Sequence, residues 1–241
     1  MALSALVCGL PRTKGDDLTT TRADRATRPV VSLPVLACGL LLAYLPTYLP
    51  ALARLVGLEV PLPGPSRVIV WNWLAVAALL LYVVRVERLD LTSLRLTRPT
   101  EADLSWAGYL GGAALAWQWV VSLLLPPDAQ AAGAEGEIVR LGVGLSLALV
   151  VTVAITEEVL WRGYVVERLG ARVDPRLAAA VGLAVFALPH VVHFGPTWLV
   201  TGLPGAAVLY ALLLWRRTLW ACVLCHAIID LPVVVLAVAG T

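Results

Sequence analysis

The sequence predicts an all-α fold, a polytopic membrane helix bundle of about seven transmembrane helices. Three observations carry this. The 241 residues are 60% hydrophobic and 14% charged, with a mean hydropathy of +0.86; a soluble domain has about 45–50% apolar and about 25% charged residues. Seven segments approach the ~20 apolar residues that a helix needs to cross a bilayer. All but three of the 18 basic residues fall on alternate connections, the asymmetry expected of a chain with one cytoplasmic face.

Residues 1–29 come first. PRTKGDDLTTTRADRATRP (11–29) is polar and rich in Thr and charge, which predicts a disordered cytoplasmic tail. The preceding MALSALVCGL lacks a basic n-region and a small-residue cleavage site, so it does not read as a signal peptide. Val7, bulky and next to Cys8, argues against a lipoprotein. The spans then run roughly 30–53, 67–84, 103–125, 138–160, 176–193, 197–215 and 218–239. The first carries Pro34, Pro46 and Pro50, which predicts a kink. The fifth is short and ends in HVVHFGP, so it is expected to be the irregular, partial span.

The basic residues orient these spans. Arg12, Lys14, Arg22, Arg25 and Arg28 precede the first. Arg85, Arg88, Arg95 and Arg98 fill the second connection, Arg162, Arg168, Arg172 and Arg176 the fourth, and Arg216 and Arg217 the sixth. Only Arg54, Arg67 and Arg140 lie on the other side. This places a multi-pass protein in the cell membrane with a cytoplasmic N-terminus and an outside C-terminus. Trp71, Trp73, Trp106, Trp198, Trp215 and Trp220 fall near span ends, as an interfacial belt does. The partner this implies is membrane lipid; a net charge of +2 gives no reason to expect nucleic acid.

Ionisable residues in or at the rims of spans concentrate in three of the seven. AITEEVLWRG ends the fourth with Glu157, Glu158 and Arg162; FALPHVVH ends the fifth with His190 and His193; the seventh carries His226 and Asp230. A charge near the bilayer centre costs at least ~2.5–3.5 kcal/mol, so such residues face polar cavities and serve function. Glu158 and Arg162 share a helix face at i, i+4, as do His226 and Asp230. Glu157 lies about 100° round from Glu158 and is free to face a cavity while its neighbour holds the arginine. Each signal also has a plain structural reading: an interfacial charge cluster, a core histidine, a polar clamp between helices. Their concentration in three spans favours a site.

The stretch CVLCHAIID (222–230) has two readings. Cys222-x-x-Cys225-His226 is the spacing of c-type haem attachment, whereas His226-x-x-x-Asp230 is a histidine and carboxylate one turn apart. The topology puts the cysteines near the cytoplasmic end of an apolar helix, the wrong side for haem attachment. They read as small buried hydrophobes, and no disulfide framework is expected.

The ordered motifs resemble those of the CPBP family of intramembrane proteases, which includes CAAX prenyl endopeptidases and bacteriocin-processing or self-immunity (ABI-type) proteins. The family pattern EExxxR, FxxxH and HxxxN or HxxxD reads here as Glu157-Glu158-Val-Leu-Trp-Arg162, Phe186-Ala-Leu-Pro-His190 and His226-Ala-Ile-Ile-Asp230. GLPGAAVLYALLLWRRTLW is similar to the family's glycine-bearing segment before a leucine–tryptophan pair. The resemblance divides the chain into N-terminal transmembrane helices (30–136) and a CPBP-like catalytic core (137–241), with the site in a cytoplasm-facing intramembrane cavity. It implies hydrolysis of a peptide bond in a peptide or membrane-protein substrate. Glu157 and His190 would hold and deprotonate a water, and His226 and Asp230 would stabilise the oxyanion. Glu158 and Arg162 would brace the helix. The prenyl-endopeptidase branch has Asn where this chain has Asp230; an ionised Asp only accepts hydrogen bonds whereas a protonated one donates, so Asp230 is either kept protonated by burial or, the favoured reading, orients His226. The family is often labelled metalloprotease, but no His-Glu-x-x-His is present, and no cofactor is expected, zinc being the alternative. Other readings are a non-enzymatic scaffold or self-immunity protein of the same family, and a proton-coupled transporter.

Overall fold

The computed structural model describes residues 28–58, 64–125 and 128–239. The tail read from residues 1–29 lies outside the described residues as far as residue 27. The described residues form helices and connections, with no strand among them. The helices are α1 (Leu33–Leu55), α2 (Gly64–Arg85), α3 (Glu101–Leu124) and α4 (Ala129–Val139). They continue with α5 (Gly142–Gly170), α6 (Pro175–Phe194), α7 (Trp198–Arg216) and α8 (Leu219–Ala239). Six of them, α2, α3 and α5 to α8, are long and apolar enough to cross a membrane, and α1 holds a shorter apolar stretch, Leu33–Leu45. Roughly seven spans therefore stand.

Local chemistry sets the boundaries. Thr100 and Asp103 form a reciprocal capping box at the start of α3. Asp174 caps α6, Pro175 opens it, and Gly195 at φ +80° ends it. Large apolar side chains such as Leu41, Leu74, Leu81 and Leu123 are exposed, the surface that hydrocarbon requires. The interior is built on Leu79, Trp161, Tyr164, Leu209 and Leu212. The first half of α8 lies along α3, where Gly111 allows close approach: a Cβ there would sit 3.1 Å from the Cys225 carbonyl oxygen. Cys222 and Cys225 are buried in this core, consistent with packing rather than haem attachment.

At one end of the bundle the arginine-bearing connections are tied together. Arg28 and Arg95 both pair with Glu167, at 3.1 and 2.9 Å. Arg168 pairs with Glu87 at 2.7 Å and Arg216 with Asp103 at 2.7 Å. The Leu219 amide that starts α8 donates to the Arg95 carbonyl. At the other end Asp128 accepts from the Thr197 hydroxyl (2.7 Å) and the Ala131 amide (2.9 Å), joining α4 to the α6–α7 connection.

Several sequence expectations change. The fourth span does not stop at 160: α5 continues to Gly170, so Glu157 lies mid-helix rather than at a rim. The irregularity expected in the fifth span belongs to α5 instead, where Glu158–Val166 is π-helical and all nine residues are buried. α6 is continuous through Pro189, and α1 through Pro46 and Pro50. The short helix α4, read from sequence as a connection, is alanine-rich and helical.

Candidate active site

The site is assembled from α5, α6 and α8, with α7 behind it. Glu157 is the last residue of the regular part of α5, and Glu158 the first of the π-helical part. Such π segments recur at functional sites; here the two carboxylates separate. Glu158 is fully buried and pairs with the fully buried Arg162, Oε1 to Nη1, at 3.1 Å. The Arg162 guanidinium is sandwiched between the rings of Phe186 and Tyr210, 4.2 and 4.4 Å from their centroids. Glu157 lies instead in the wall of a cavity of about 1000 Å³.

His226 completes this arrangement from α8. Its Nδ1–H donates to Glu158 Oε1 at 2.7 Å, and its Nε2 faces Asp230 Oδ2 at 3.4 Å. Asp230 stands where α8 divides into Leu219–Ile229 and Leu231–Ala239. Its φ −89°, ψ 2° lies in the bridge region.

His190 owes its setting to the proline before it. Pro189 has no N–H and leaves the Val185 carbonyl without its helical partner; the Tyr48 hydroxyl of α1 supplies the bond instead, at 2.9 Å. His190 Nδ1 is 2.7 Å from the Phe186 carbonyl oxygen. A carbonyl only accepts, so Nδ1 carries the proton and Nε2 of the neutral ring is an acceptor. The ring stacks on Trp198 at 4.8 Å and lies 4.2 Å from Phe186.

Glu157, His190, His226 and Asp230 all line the same cavity, with His193 further toward its mouth. Glu158 and Arg162 are behind the wall. Sequence reasoning paired Glu158 with Arg162 but missed its bond to His226, a contact between helices 68 residues apart. It also missed Tyr210 and Trp198, aromatics that nothing in their local sequence distinguishes from packing. Asn72 of α2, whose Nδ2 donates to Thr156 Oγ1 at 3.2 Å, is a further polar wall residue; its lack of charge hid it.

Among the described residues no group of three or more His, Cys, Asp or Glu side chains is placed to hold a metal ion. The Nδ1 atoms of His190 and His226 are both engaged within the protein.

Fold and cavity together give a polytopic helix bundle with acid–base side chains converging on one pocket. Residues 140–232 match the family described as Rce1-like, type II CAAX prenyl endopeptidase Rce1-like, a match that supports a CPBP family intramembrane protease. The matched region is under half of the chain and contains all seven motif residues. No curated protein and no solved structure matches it. The family supports an intramembrane protease kind of function, acting on peptide substrate in a lipid environment.

Proposed function

We propose that this chain is an endopeptidase of the cell membrane, N-terminus cytoplasmic, that hydrolyses a peptide bond with water activated by Glu157 and His190. The observation that carries the reading is the convergence of Glu157, His190, His226 and Asp230 on one cavity wall, with Glu158 and Arg162 fixed behind it.

The chemistry follows from the donors and acceptors. Glu157 and the His190 Nε2 each offer an acceptor for a proton of a water between them, as general-base catalysis needs. The water oxygen attacks the carbonyl carbon and its proton passes to the base. The tetrahedral intermediate places negative charge on the former carbonyl oxygen. An imidazolium at His226 has N–H groups on both nitrogens: Nδ1–H stays on Glu158 while Nε2–H turns from Asp230 to the oxyanion. Asp230 then holds the ring ready before the intermediate forms. The protonated base returns its proton to the leaving amine.

The test is a comparison of membrane-proteome neo-termini in cells expressing the chain or its Glu157→Gln variant at matched levels. Termini that depend on the glutamate support the protease and name a substrate. Identical termini, with both variants restoring the same deletion phenotype, would replace it with the scaffold or self-immunity reading; flux without cleavage would favour a transporter.

A further inference from the structure

The cavity and the arginine-bearing connections occupy opposite ends of the bundle. Three basic connections, α2–α3, α5–α6 and α7–α8, meet at one end, where Arg95, Arg168 and Arg216 make their ion pairs. The cavity wall uses the other end: the C-terminal parts of α1, α3 and α6, the N-terminal part of α2, and α4. Its deepest residues, Glu157, Leu209 and His226, lie near mid-helix. Glu157 is about 22 Å from the start of α5 and about 20 Å from its end, at 1.5 Å per residue. No wall residue of α5 lies beyond Glu157 on the arginine side. The pocket is therefore a blind funnel whose floor is mid-bundle and whose mouth is at the α4 end.

The positive-inside rule counts Lys and Arg rather than net charge, so the carboxylates paired with these arginines do not cancel it. We propose that the cavity opens on the non-cytoplasmic face of the membrane and takes its substrate from there: an exported or membrane-anchored polypeptide with its scissile bond on that side. This rests on the protease reading for the substrate and on the arginine asymmetry for the side. It differs from the cytoplasm-facing cavity that the resemblance implied. The funnel's volume, at the upper end of ordinary ligand pockets, suits an extended peptide segment more than a small metabolite.

Cysteine accessibility tests the side without reference to catalysis. Ser122 and Ala131 line the mouth; Arg88 is exposed at the opposite end. Ser122→Cys, Ala131→Cys and Arg88→Cys are each made in the full chain with Cys8 and Cys38 replaced by Ala; the buried Cys222 and Cys225 stay. A membrane-impermeant maleimide is applied to intact bacterial cells and to inverted membrane vesicles, with detergent-solubilised labelling as the reference. The expected result is several-fold preferential labelling of Ser122→Cys and Ala131→Cys in cells, and of Arg88→Cys in vesicles. The opposite pattern overturns the proposal. Should a cysteine variant fail to accumulate, alkaline phosphatase fused after Thr241 reports the same side, active as expected or inactive against it. Neo-termini complete the test: Glu157-dependent cleavage on the outer side of substrates supports the substrate class, and cleavage in cytoplasmic regions overturns it. Outward labelling with no Glu157-dependent termini would keep the orientation and sink the protease reading, so the two fail separately.

Discussion

Replacing Glu158 by Gln removes the one carboxylate that Arg162 and His226 share. Arg162 and Glu158 are each fully buried and 3.1 Å apart. At an effective dielectric near 20, that separation corresponds to an attraction of about 5 kcal/mol, and the charged hydrogen bond from His226 adds about 1.5–3 kcal/mol. Gln retains an acceptor and the surroundings relax, so the full sum is not lost. Breaking a buried pair from one side costs about 3–5 kcal/mol, because the remaining charge stays buried without its partner. The expected loss for Glu158→Gln is in that range, read as the shift of an SDS-induced unfolding curve in mixed micelles. Arg162→Met removes the stranded charge and fits the slot between the Phe186 and Tyr210 rings, so the double variant is expected to recover at least about half of the loss. If the single variant costs less than about 1 kcal/mol, or if the two changes add within about 0.5 kcal/mol, the pair is not the buried brace described.

Other outcomes follow from the same geometry. Glu157→Gln, at a cavity wall rather than in the brace, is expected to lower turnover by about 10²–10⁴ while unfolding like the parent; a matching loss of stability would count against a catalytic role. His226→Gln replaces the charged imidazolium donor by a neutral amide, with about 10²–10³ off kcat and a much smaller change in KM, measured on whatever substrate the terminus comparison identifies. Asp230→Asn keeps an acceptor for His226 Nε2 and is expected to retain most activity, whereas Asp230→Leu loses it; equal loss from both would assign the carboxylate a direct role. Gly111→Leu forces a side chain against the Cys225 carbonyl and Ile228 and should cost about 1–3 kcal/mol, visible in the same unfolding assay.

How much could be read in advance varies by element. α2, α3, α7 and α8 were legible because twenty apolar residues in a row have few alternatives in a bilayer. α5 was not, because the polar run Glu157, Glu158, Arg162, Glu167 and Arg168 looks like the end of a span. It is interior because partners from other elements bury it: Glu87 for Arg168, Arg28 and Arg95 for Glu167. No window on the fourth span could show those partners. The gathering of Glu157, His190, His226 and Asp230 was expected from the resemblance, and the structure brings them to one wall; their roles are what the variants above examine.

What the sequence determined by itself was the membrane class, most span positions, the arginine asymmetry and the identity of the residues too costly to place in a bilayer without purpose. Hydropathy and spacing are properties of neighbours along the chain, and those statements need nothing more. Tertiary structure decided that Glu158 serves both Arg162 and His226, that α5 turns π-helical at Glu158 directly after Glu157, and which helix ends supply the cavity wall. Each of these depends on which helices touch and how deep each residue sits, and the energy that fixes it comes from contacts between segments 68 to 139 residues apart.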